Sequence, residues 1–310
     1  MALLFMSTIM DPGELRQALG ERISGLDFRV WPDGVGAAGD IEFALVWQPP
    51  PGALKRLPNL KAILSLGAGI DHILDDQDLP QGVPVVRMVD RTITGSMAEY
   101  VLARTLYYHR GLHLFAEFQR RRLWRHIEPA EASARRVGVL GLGVIGGAAA
   151  AKLAEHGFAV GGWSRREKNL EGVECFHGPE GLSALLAGSE ILVCLLPLTA
   201  ATEGIVDAKA LSALPREACF INVGRGGHVV DADLIAALDS GHIAGATLDV
   251  FGDEPLSEDH PFWGHPKVAM TPHVASRMSA ETIADEVVGT LRRIAAGETP
   301  ENTVDLERGY

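Results

Sequence analysis

The sequence contains few cysteines, and acidic residues dominate its charge. Three cysteines among 310 residues, Cys175, Cys194 and Cys219, are too few for a disulfide framework and indicate a reducing compartment, so we expect a cytoplasmic protein. Acidic residues outnumber basic residues by 40 to 28, which gives a formal net charge of −12. A surface of this charge repels nucleic acid and anionic membranes, so we expect neither as a partner. Any site for a small anion must then be locally basic.

The sequence also lacks a hydrophobic run long enough to span a membrane. Its apolar N-terminus, "MALLFMSTIM", has no basic leading region and ends at Asp11 and Pro12. This pattern predicts a first buried strand rather than a signal peptide. We find no internal repeat and no low-complexity tract, and we predict no metal site.

Short apolar runs alternate with helical patterns along the chain. The predicted strands after the first are 41–47, 60–66, 83–89, 136–141, 158–163, 190–196, 217–223, 244–250 and 267–271. This alternation predicts an α/β fold with two doubly wound parallel sheets, one after the other in the sequence. A long helix is predicted over 96–115, with Ser96 as the N-cap and Glu99 closing a capping box. A final helix is predicted from about Ser279 to Ala296, whereas the polar segment 115–135 predicts no definite structure.

A glycine-rich turn follows the first strand of the second sheet, in "VGVLGLGVIGG" at 137–147. Gly141 permits a tight turn, Gly143 lets a diphosphate approach the backbone, and Gly146 allows the next helix to pack closely on the strand. A strand pattern precedes the turn and a helix pattern follows it, which is the context that a dinucleotide-binding unit requires. The alternative is a glycine-rich packing turn without a ligand.

An acidic residue is missing where a turn of this kind normally has one. About 20 residues after the glycines, an Asp or Glu usually accepts hydrogen bonds from the cofactor ribose. This chain has Ser164, Arg165 and Arg166 there. Two guanidinium groups can pair with a 2′-phosphate, and a hydroxyl can donate to it. The pattern therefore favours NADP(H) over NAD(H), although a solvated basic turn is the alternative.

Three later strands of the second sheet end in polar residues. Arg225 lies between glycines in "NVGRGG", Glu254 lies in "LDVFGDEP", and His273 lies in "TPHVAS". Taken singly, each is typical of an ordinary loop residue. Together they suit the reduction of a 2-keto acid. The arginine binds the carboxylate, the imidazolium donates a proton to the carbonyl oxygen, and the glutamate stabilises the charged ring.

The motifs "GLGVIGG", "NVGRGGHVVD", "LDVFGDEPL" and "TPHVAS" resemble those of the D-2-hydroxyacid dehydrogenases, in order and in spacing, over nearly the whole chain. Within that family, "LVWQPP", "LGAGIDHI", "GWSRR" and the C-terminal "RGY" are similar to the bacterial glyoxylate/hydroxypyruvate reductase A branch. The resemblance implies NADPH-dependent reduction of glyoxylate to glycolate and of hydroxypyruvate to D-glycerate. It also implies catalytic roles for Arg225, Glu254 and His273.

The resemblance further implies a domain arrangement and a partner. A Rossmann cofactor domain at 99–278 would be inserted in a flavodoxin-like substrate domain made of 1–98 and 279–310. The family is typically dimeric through its cofactor domains, so we expect a homodimer. The cofactor-binding residues that we predict are Gly141, Gly143, Val144, Ile145, Gly146, Ser164, Arg165, Arg166, Leu196, Pro197, Thr202, Val223, Gly224 and Asp249.

The predicted substrate-binding residues are Arg225, Trp47, Gly67, Ala68, Gly69 and Trp124. Without bulky side chains, the backbone N–H groups of Ala68 and Gly69 can approach a carboxylate. Trp47 ends a neighbouring strand, where its indole could limit the size of the substrate. Trp124 resembles a tryptophan that related reductases contribute across their dimer. For both tryptophans, simple packing is the alternative.

Two other functions stay open. One is another member of the same family, such as a D-lactate, phosphoglycerate or formate dehydrogenase. Formate enzymes resemble this chain less, and phosphoglycerate enzymes usually favour NAD and often have an extra regulatory domain. The other is a non-catalytic nucleotide-sensing binding protein of the same fold. Such sensors have partner-binding tails, which we do not expect here.

Overall fold

The computed structural model describes residues 1–306 and divides into two compact units. The terminal unit comprises Met1–Thr92 together with the described residues from Met278 onward, and the central unit comprises Ile93–Arg277. The sequence-based boundaries were placed at 98/99 and 278/279. The "RGY" motif at 308–310 lies outside the described residues.

Both units are built from parallel strands connected by helices. The strands are β1 (Ala2–Met6), β2 (Asp27–Val30), β3 (Ile41–Val46), β4 (Ala62–Ser65), β5 (Val85–Val86), β6 (Arg136–Leu140), β7 (Ala159–Ser164), β8 (Val173–His177), β9 (Ile191–Cys194), β10 (Ala218–Asn222), β11 (Ile243–Leu248) and β12 (Val268–Met270). The helices are α1 (Pro12–Arg22), α2 (Asp71–Leu74), α3 (Arg91–His109), α4 (Leu112–Arg120), α5 (Val144–Glu155), α6 (Gly178–Gly188), α7 (Ala208–Ala213), α8 (Asp231–Asp239) and α9 (Ala280–Ala295).

The terminal unit has a five-stranded sheet in the order β2-β1-β3-β4-β5, which is the flavodoxin-like order. Its inner strands are nearly continuous apolar runs because helices or loops cover both faces of a parallel sheet. The last helix, α9, belongs to this unit. Its Ile283 and Val287 share a core with Leu15 of α1, and Arg22 forms an ion pair with Asp285 at 2.7 Å.

The central unit has a seven-stranded sheet in the order β12-β11-β10-β9-β6-β7-β8. The chain runs outward from β6 through β7 to β8, and then crosses back to β9 on the other side of β6. The carboxyl ends of β6 and β9 therefore flank the point where the strand order reverses, which is where ligands bind in open α/β sheets. The predicted fold class, α/β with two doubly wound parallel sheets, is confirmed.

Three local predictions differ from the structure. The sequence did not predict β2 and β8, which are edge strands whose side chains are largely half-exposed, so they lack an apolar run. Ser96 is not an N-cap, because α3 begins five residues earlier. Its hydroxyl donates instead to the Ala275 carbonyl at 3.3 Å. Burial of Ile93 and Met97 along the first turns of α3 outweighs the weak helix propensity of this segment.

The helix predicted over 96–115 is interrupted, because α3 ends at His109 and Gly111 takes a left-handed conformation with φ 65°. A short amphipathic helix, α4, follows and extends into the polar segment for which no structure was predicted. Among the described residues 1–306, no helix is both long enough and apolar enough to cross a membrane.

Two histidines lie at the junction of α3 and α4 in the central unit. His113 packs against Tyr107 and Tyr108, with ring centroids 6.0 and 5.1 Å away. Burial lowers the pKa of His113, a backbone hydrogen bond at Tyr107 opposes that change, and the charge of Arg135 lowers the pKa further. Burial and the charge of Arg135 also lower the pKa of His109. Both rings therefore resist protonation in the folded chain.

We expect the free energy of unfolding to decrease as the pH falls below the ordinary histidine value of 6.5. Unfolded histidines bind protons there, whereas the folded rings do not, so protons favour the unfolded state. Melting temperatures at pH 7.5 and 5.5 measure the effect. His113→Phe should reduce the difference, and His177→Phe, at an exposed histidine, should not. An equal pH dependence in all three proteins would contradict this account.

Candidate active site

The three candidate catalytic residues follow adjacent strands of the central sheet. Arg225 comes after β10, Glu254 after β11 and His273 after β12, and these strands pair in parallel in that order. Parallel strands end at the same edge of a sheet, so the three loops emerge side by side.

His273 and Glu254 form an ion pair, with His273 Nδ1 2.7 Å from Glu254 Oε2. Their side chains are 30% and 28% exposed, so the pair is reachable from solvent but partly shielded. The other carboxylate oxygen, Oε1, accepts a hydrogen bond from the Phe251 N–H at 2.9 Å. The carboxylate is thus held from both sides, and the imidazole ring has a fixed orientation.

Opposing effects act on the pKa of Glu254. Partial burial would raise it, but the hydrogen bonds from His273 and from the Phe251 N–H, with the charges of His273 and Arg225, outweigh burial. The pKa of Glu254 therefore lies below its ordinary value of 4.5, and the carboxylate is ionised at neutral pH. An anionic carboxylate at this distance stabilises an imidazolium, which is the form of the ring that can donate a proton.

The backbone of His273 is held in a conformation that is rare outside glycine. Its φ is 52°, in the left-handed region, which costs about 1–2 kcal/mol for a residue with a side chain. The His273 N–H donates to the carbonyls of Asp249 (2.8 Å) and Thr271 (3.1 Å). The next two N–H groups, of Val274 and Ala275, donate to the Asp249 carboxylate at 3.0 and 2.8 Å.

Asp249 thereby holds the turn that presents His273. It is 1% exposed, and its carboxylate accepts hydrogen bonds from the Thr271 hydroxyl and from the N–H groups of Val274 and Ala275. Asp249 was predicted from the sequence only as a cofactor contact, and this role was not predicted. The available signal was its position directly after an apolar strand, where a side chain is expected to be buried. A buried carboxylate needs several hydrogen-bond donors around it.

The Arg225 loop packs tightly on the loop that precedes Glu254. A Cβ on Gly226 would lie 1.8 Å from the Phe251 carbonyl carbon, so only glycine permits this approach. The buried Asn222 amide donates to the Arg225 carbonyl at 2.9 Å, and the Arg225 N–H donates to Nδ1 of buried His228 at 3.1 Å. Asn222 and His228 had no predicted role, although they hold the backbone that carries Arg225.

The glycine turn after β6 has the geometry that a diphosphate needs. Gly141 has φ 103°, and a Cβ on Gly146 would lie 1.8 Å from the Gly141 carbonyl oxygen. Gly143, the N-cap of α5, differs because a Cβ there would meet nothing within 4 Å. The protein itself does not require glycine at this position, whereas a close ligand at the helix N-terminus would. The adjacent Val144 is 62% exposed at that open end. These residues fit a dinucleotide diphosphate.

The basic turn lies at the carboxyl end of β7, the strand next to β6. The Ser164 hydroxyl donates to the Arg166 carbonyl at 2.6 Å and so closes the turn. In this geometry its proton is committed to the backbone, so the guanidinium groups of Arg165 and Arg166 supply the attraction for an anion. Both arginines are exposed.

The loop after β9 is organised by Thr202. Its hydroxyl donates to the Pro197 carbonyl at 2.7 Å and accepts from the Thr199 N–H at 2.9 Å. On the neighbouring strand, Val223 and Gly224 are buried directly after β10. These residues therefore lie along the same sheet edge as the glycine turn.

In the terminal unit, Trp47 and Gly67 are packed against each other. A Cβ on Gly67 would lie 2.7 Å from Trp47 Cζ3, so the indole occupies the space of a side chain there. Trp47 also contacts His72 of α2, and the centroids of the two rings are 4.4 Å apart. The position of Trp47 is thus fixed by its neighbours.

The loop after β4 presents two backbone N–H groups. The buried Ser65 hydroxyl accepts from the Gly67 N–H at 3.3 Å and donates to the Gly69 carbonyl at 3.4 Å, which shapes the loop. Within residues 1–306, the N–H groups of Ala68 and Gly69 have no acceptor in the protein. They are available to an anion.

Trp124 lies in the central unit, beyond the end of α4. It is 95% exposed and lines an apolar groove with Phe115, Phe118 and Leu123. An indole this exposed contributes little to the core of its own chain.

The chain matches a protein-family model over its central part and curated relatives along its whole length. Residues 102–275 match the model for the D-isomer specific 2-hydroxyacid dehydrogenase, NAD binding domain. A glyoxylate/hydroxypyruvate reductase A from Yersinia enterocolitica is 40% identical, and one from Photorhabdus laumondii is 39% identical; both alignments cover all of this chain and all of the relative.

Solved structures agree with this assignment. A D-isomer specific 2-hydroxyacid dehydrogenase from Xanthobacter autotrophicus, in complex with NADPH and MES, is 48% identical with a TM-score of 0.95, covering 100% of this chain and 99% of that chain. An NADPH-dependent glyoxylate/hydroxypyruvate reductase from Sinorhizobium meliloti, in complex with NADP and sulfate, is 38% identical with a TM-score of 0.93 and covers both chains fully. The chain therefore belongs to the D-isomer specific 2-hydroxyacid dehydrogenases, as its motifs predicted.

The two glycines of the turn should respond differently to substitution. We expect Gly146→Ala to lower the free energy of unfolding by about 2–4 kcal/mol, because its Cβ would overlap the Gly141 carbonyl oxygen. The matched variant Gly143→Ala should cost less than about 1 kcal/mol, because its Cβ enters open space. Urea unfolding measures both. Equal losses would show that the turn does not pack as described.

Proposed function

We propose that the protein is an NADPH-dependent reductase of small 2-keto acids, acting on glyoxylate to give glycolate and on hydroxypyruvate to give D-glycerate. The observation that carries this proposal is the 2.7 Å pair of His273 and Glu254, next to the Arg225 loop and in the same unit as the glycine turn. The names of the curated relatives support the substrate class.

Arg225, His273 and Glu254 each have a separate role in the proposed reduction. The Arg225 guanidinium binds the substrate carboxylate through a forked pair of hydrogen bonds. When bound, NADPH supplies the hydride that adds to the carbonyl carbon. The His273 imidazolium donates its proton to the carbonyl oxygen as negative charge develops there, and Glu254 stabilises the charged ring beforehand. The product is the 2-hydroxy acid, and neutral His273 regains a proton from solvent.

Binding of the cofactor is assigned to the carboxyl edge of the central sheet. The N–H groups at the start of α5, including those of Val144 and Ile145, bind the diphosphate beside Gly143. Arg165 and Arg166 pair with the 2′-phosphate, which makes NADP(H) the preferred cofactor. The remaining cofactor contacts that we propose are Leu196, Pro197, Thr202, Val223, Gly224 and Asp249.

Selection of small acids is assigned to the terminal unit. The N–H groups of Ala68 and Gly69 lack acceptors in the protein, so we assign them to an anionic group of the substrate. Trp47 is fixed by Gly67 and His72, so its indole acts as a rigid wall that excludes branched and aromatic 2-keto acids.

We also propose that the protein is a cytoplasmic homodimer. The apolar groove around Trp124 suits burial against a second copy. The three cysteines are free thiols, and burial raises the pKa of Cys194 and of Cys219 to about 12, which suits a reducing compartment.

A steady-state assay with glyoxylate and hydroxypyruvate, using NADPH and NADH in turn, tests the activity and the cofactor together. We expect turnover with a preference for NADPH. Changing both Arg165 and Arg166 to Ala should reduce that preference by about tenfold or more, because charge-assisted phosphate contacts are lost. Lys168→Ala, an exposed charge in the same turn, is the control and should keep the preference.

Two outcomes would contradict these assignments. Absence of turnover with every 2-keto acid would overturn the proposed activity and favour a nucleotide sensor. Full discrimination in the double arginine variant would overturn the assignment of the basic turn.

The pH dependence of reduction tests the acid pair. Proton donation requires the imidazolium, so kcat/KM for the keto acid should fall as the pH rises. In Glu254→Gln the negative charge that stabilises the imidazolium is gone, so the fall should move to lower pH. Glu258→Gln, an exposed carboxylate in the same loop, should leave the profile unchanged. A profile that Glu254→Gln does not move would remove Glu254 from this role.

A further inference from the structure

A chain of hydrogen bonds leads from helix α3 to the turn that carries His273. The Tyr100 hydroxyl lies 2.5 Å from Thr271 Oγ1, and Thr271 Oγ1 donates to Asp249 Oδ1 at 2.5 Å. Asp249 in turn accepts from the N–H groups of Val274 and Ala275. All of these residues belong to the central unit.

The chemistry of the groups determines the direction of this chain. The Thr271 hydroxyl has one proton, which it donates to the Asp249 carboxylate. It can then only accept from Tyr100, so the phenol is the donor in the first hydrogen bond. Tyr100 therefore restrains the rotation of the Thr271 hydroxyl, and Thr271 restrains the carboxylate.

We propose that Tyr100 is a positioning residue for His273, acting through Thr271 and Asp249; the proposal rests on the function proposed above for His273. The carboxylate keeps the left-handed turn at His273 closed only while its oxygens face the N–H groups of Val274 and Ala275. If it rotated, both N–H groups would lose their acceptor, and the imidazole would lose its fixed distance to Glu254. The hydroxyl of Tyr100 thus supports the geometry of proton donation without touching the substrate.

The ring and the hydroxyl of Tyr100 have separate contacts, so their roles can be separated. The ring packs against the apolar core of the central unit, and the Arg104 guanidinium lies 5.1 Å from its centroid. Tyr100→Phe keeps these contacts and removes only the hydroxyl. Tyr107 provides a matched control two turns later on α3. It is also partly buried against that core, and within residues 1–306 its hydroxyl has no hydrogen-bond partner.

The test combines a structural and a kinetic measurement on the full chain. Hydrogen exchange of the Val274 and Ala275 N–H groups, measured without substrate, reports how firmly the turn is held. The second measurement is kcat for hydroxypyruvate at saturating NADPH. We expect Tyr100→Phe and Thr271→Val each to raise the exchange rate and to lower kcat by about two- to tenfold.

Three further variants make the test specific. Thr271→Ser, which keeps the hydroxyl, should bring exchange and kcat back toward the wild-type values. Tyr107→Phe should match the wild type in both measurements. The double variant Tyr100→Phe/Thr271→Val should be no worse than Thr271→Val alone, because both changes break the same chain.

If Tyr100→Phe left the exchange rates of the Val274 and Ala275 N–H groups unchanged, the proposal would be overturned. It would also be overturned if Tyr107→Phe changed the exchange rates and kcat as much as Tyr100→Phe does. Faster exchange with unchanged kcat would also overturn it, because the restraint would then have no part in proton donation. The exchange measurement does not depend on turnover. A wild-type protein that reduces no 2-keto acid would therefore refute the proposed function, while exchange alone still decides whether Tyr100 restrains the turn.

Discussion

The buried carboxylate of Asp249 is the group on which the candidate catalytic geometry depends. It accepts hydrogen bonds from Thr271, Val274 and Ala275, and its backbone carbonyl accepts from His273. Together these bonds offset the energetic cost of the left-handed backbone conformation of His273. Without them, the residue would relax to a more favourable conformation. With the turn held, His273 Nδ1 stays at hydrogen-bond distance from Glu254, and the exposed pair keeps one orientation. The buried Asp249 carboxylate thus holds the turn that carries His273, the residue to which we assign proton donation.

The distribution of charge follows from the kind of molecule that such a protein must bind. A net charge of −12 repels an anionic keto acid and a phosphorylated cofactor, so each needs local compensation. In the proposed function, Arg165 and Arg166 supply it at the end of β7, and Arg225 supplies it after β10. Glycines let these loops pack closely: Gly226 admits the Phe251 backbone, and Gly146 admits the Gly141 carbonyl. The basic groups are therefore placed by backbone contacts that no larger residue would allow.

Much of the fold was predictable because its signals are local. The inner strands of both sheets are continuous apolar runs, and the turn at Gly141–Gly146 has a characteristic spacing between a strand and a helix. The edge strands β2 and β8 were not predicted, because half-exposed strands carry no apolar run. The start of α3 was placed too late because Ser96 has the chemistry of an N-cap, whereas burial of Ile93 and Met97 extends the helix past it. Propensity is a weak local preference that packing can override.

For the candidate site, the sequence by itself determined which chemical groups are present: an arginine between glycines, a glutamate before a proline, a histidine after one, and two arginines in place of an acid. Their order along alternating strands also determined that the strand ends share one sheet edge. Only the tertiary structure decided how these groups are held. The Asp249 carboxylate, the Tyr100–Thr271 hydrogen bond and the packing of Trp47 on Gly67 join residues that lie 20 to 171 positions apart. Such contacts have no periodicity or spacing in the sequence, because they depend on which faces of distant elements meet when the core is buried.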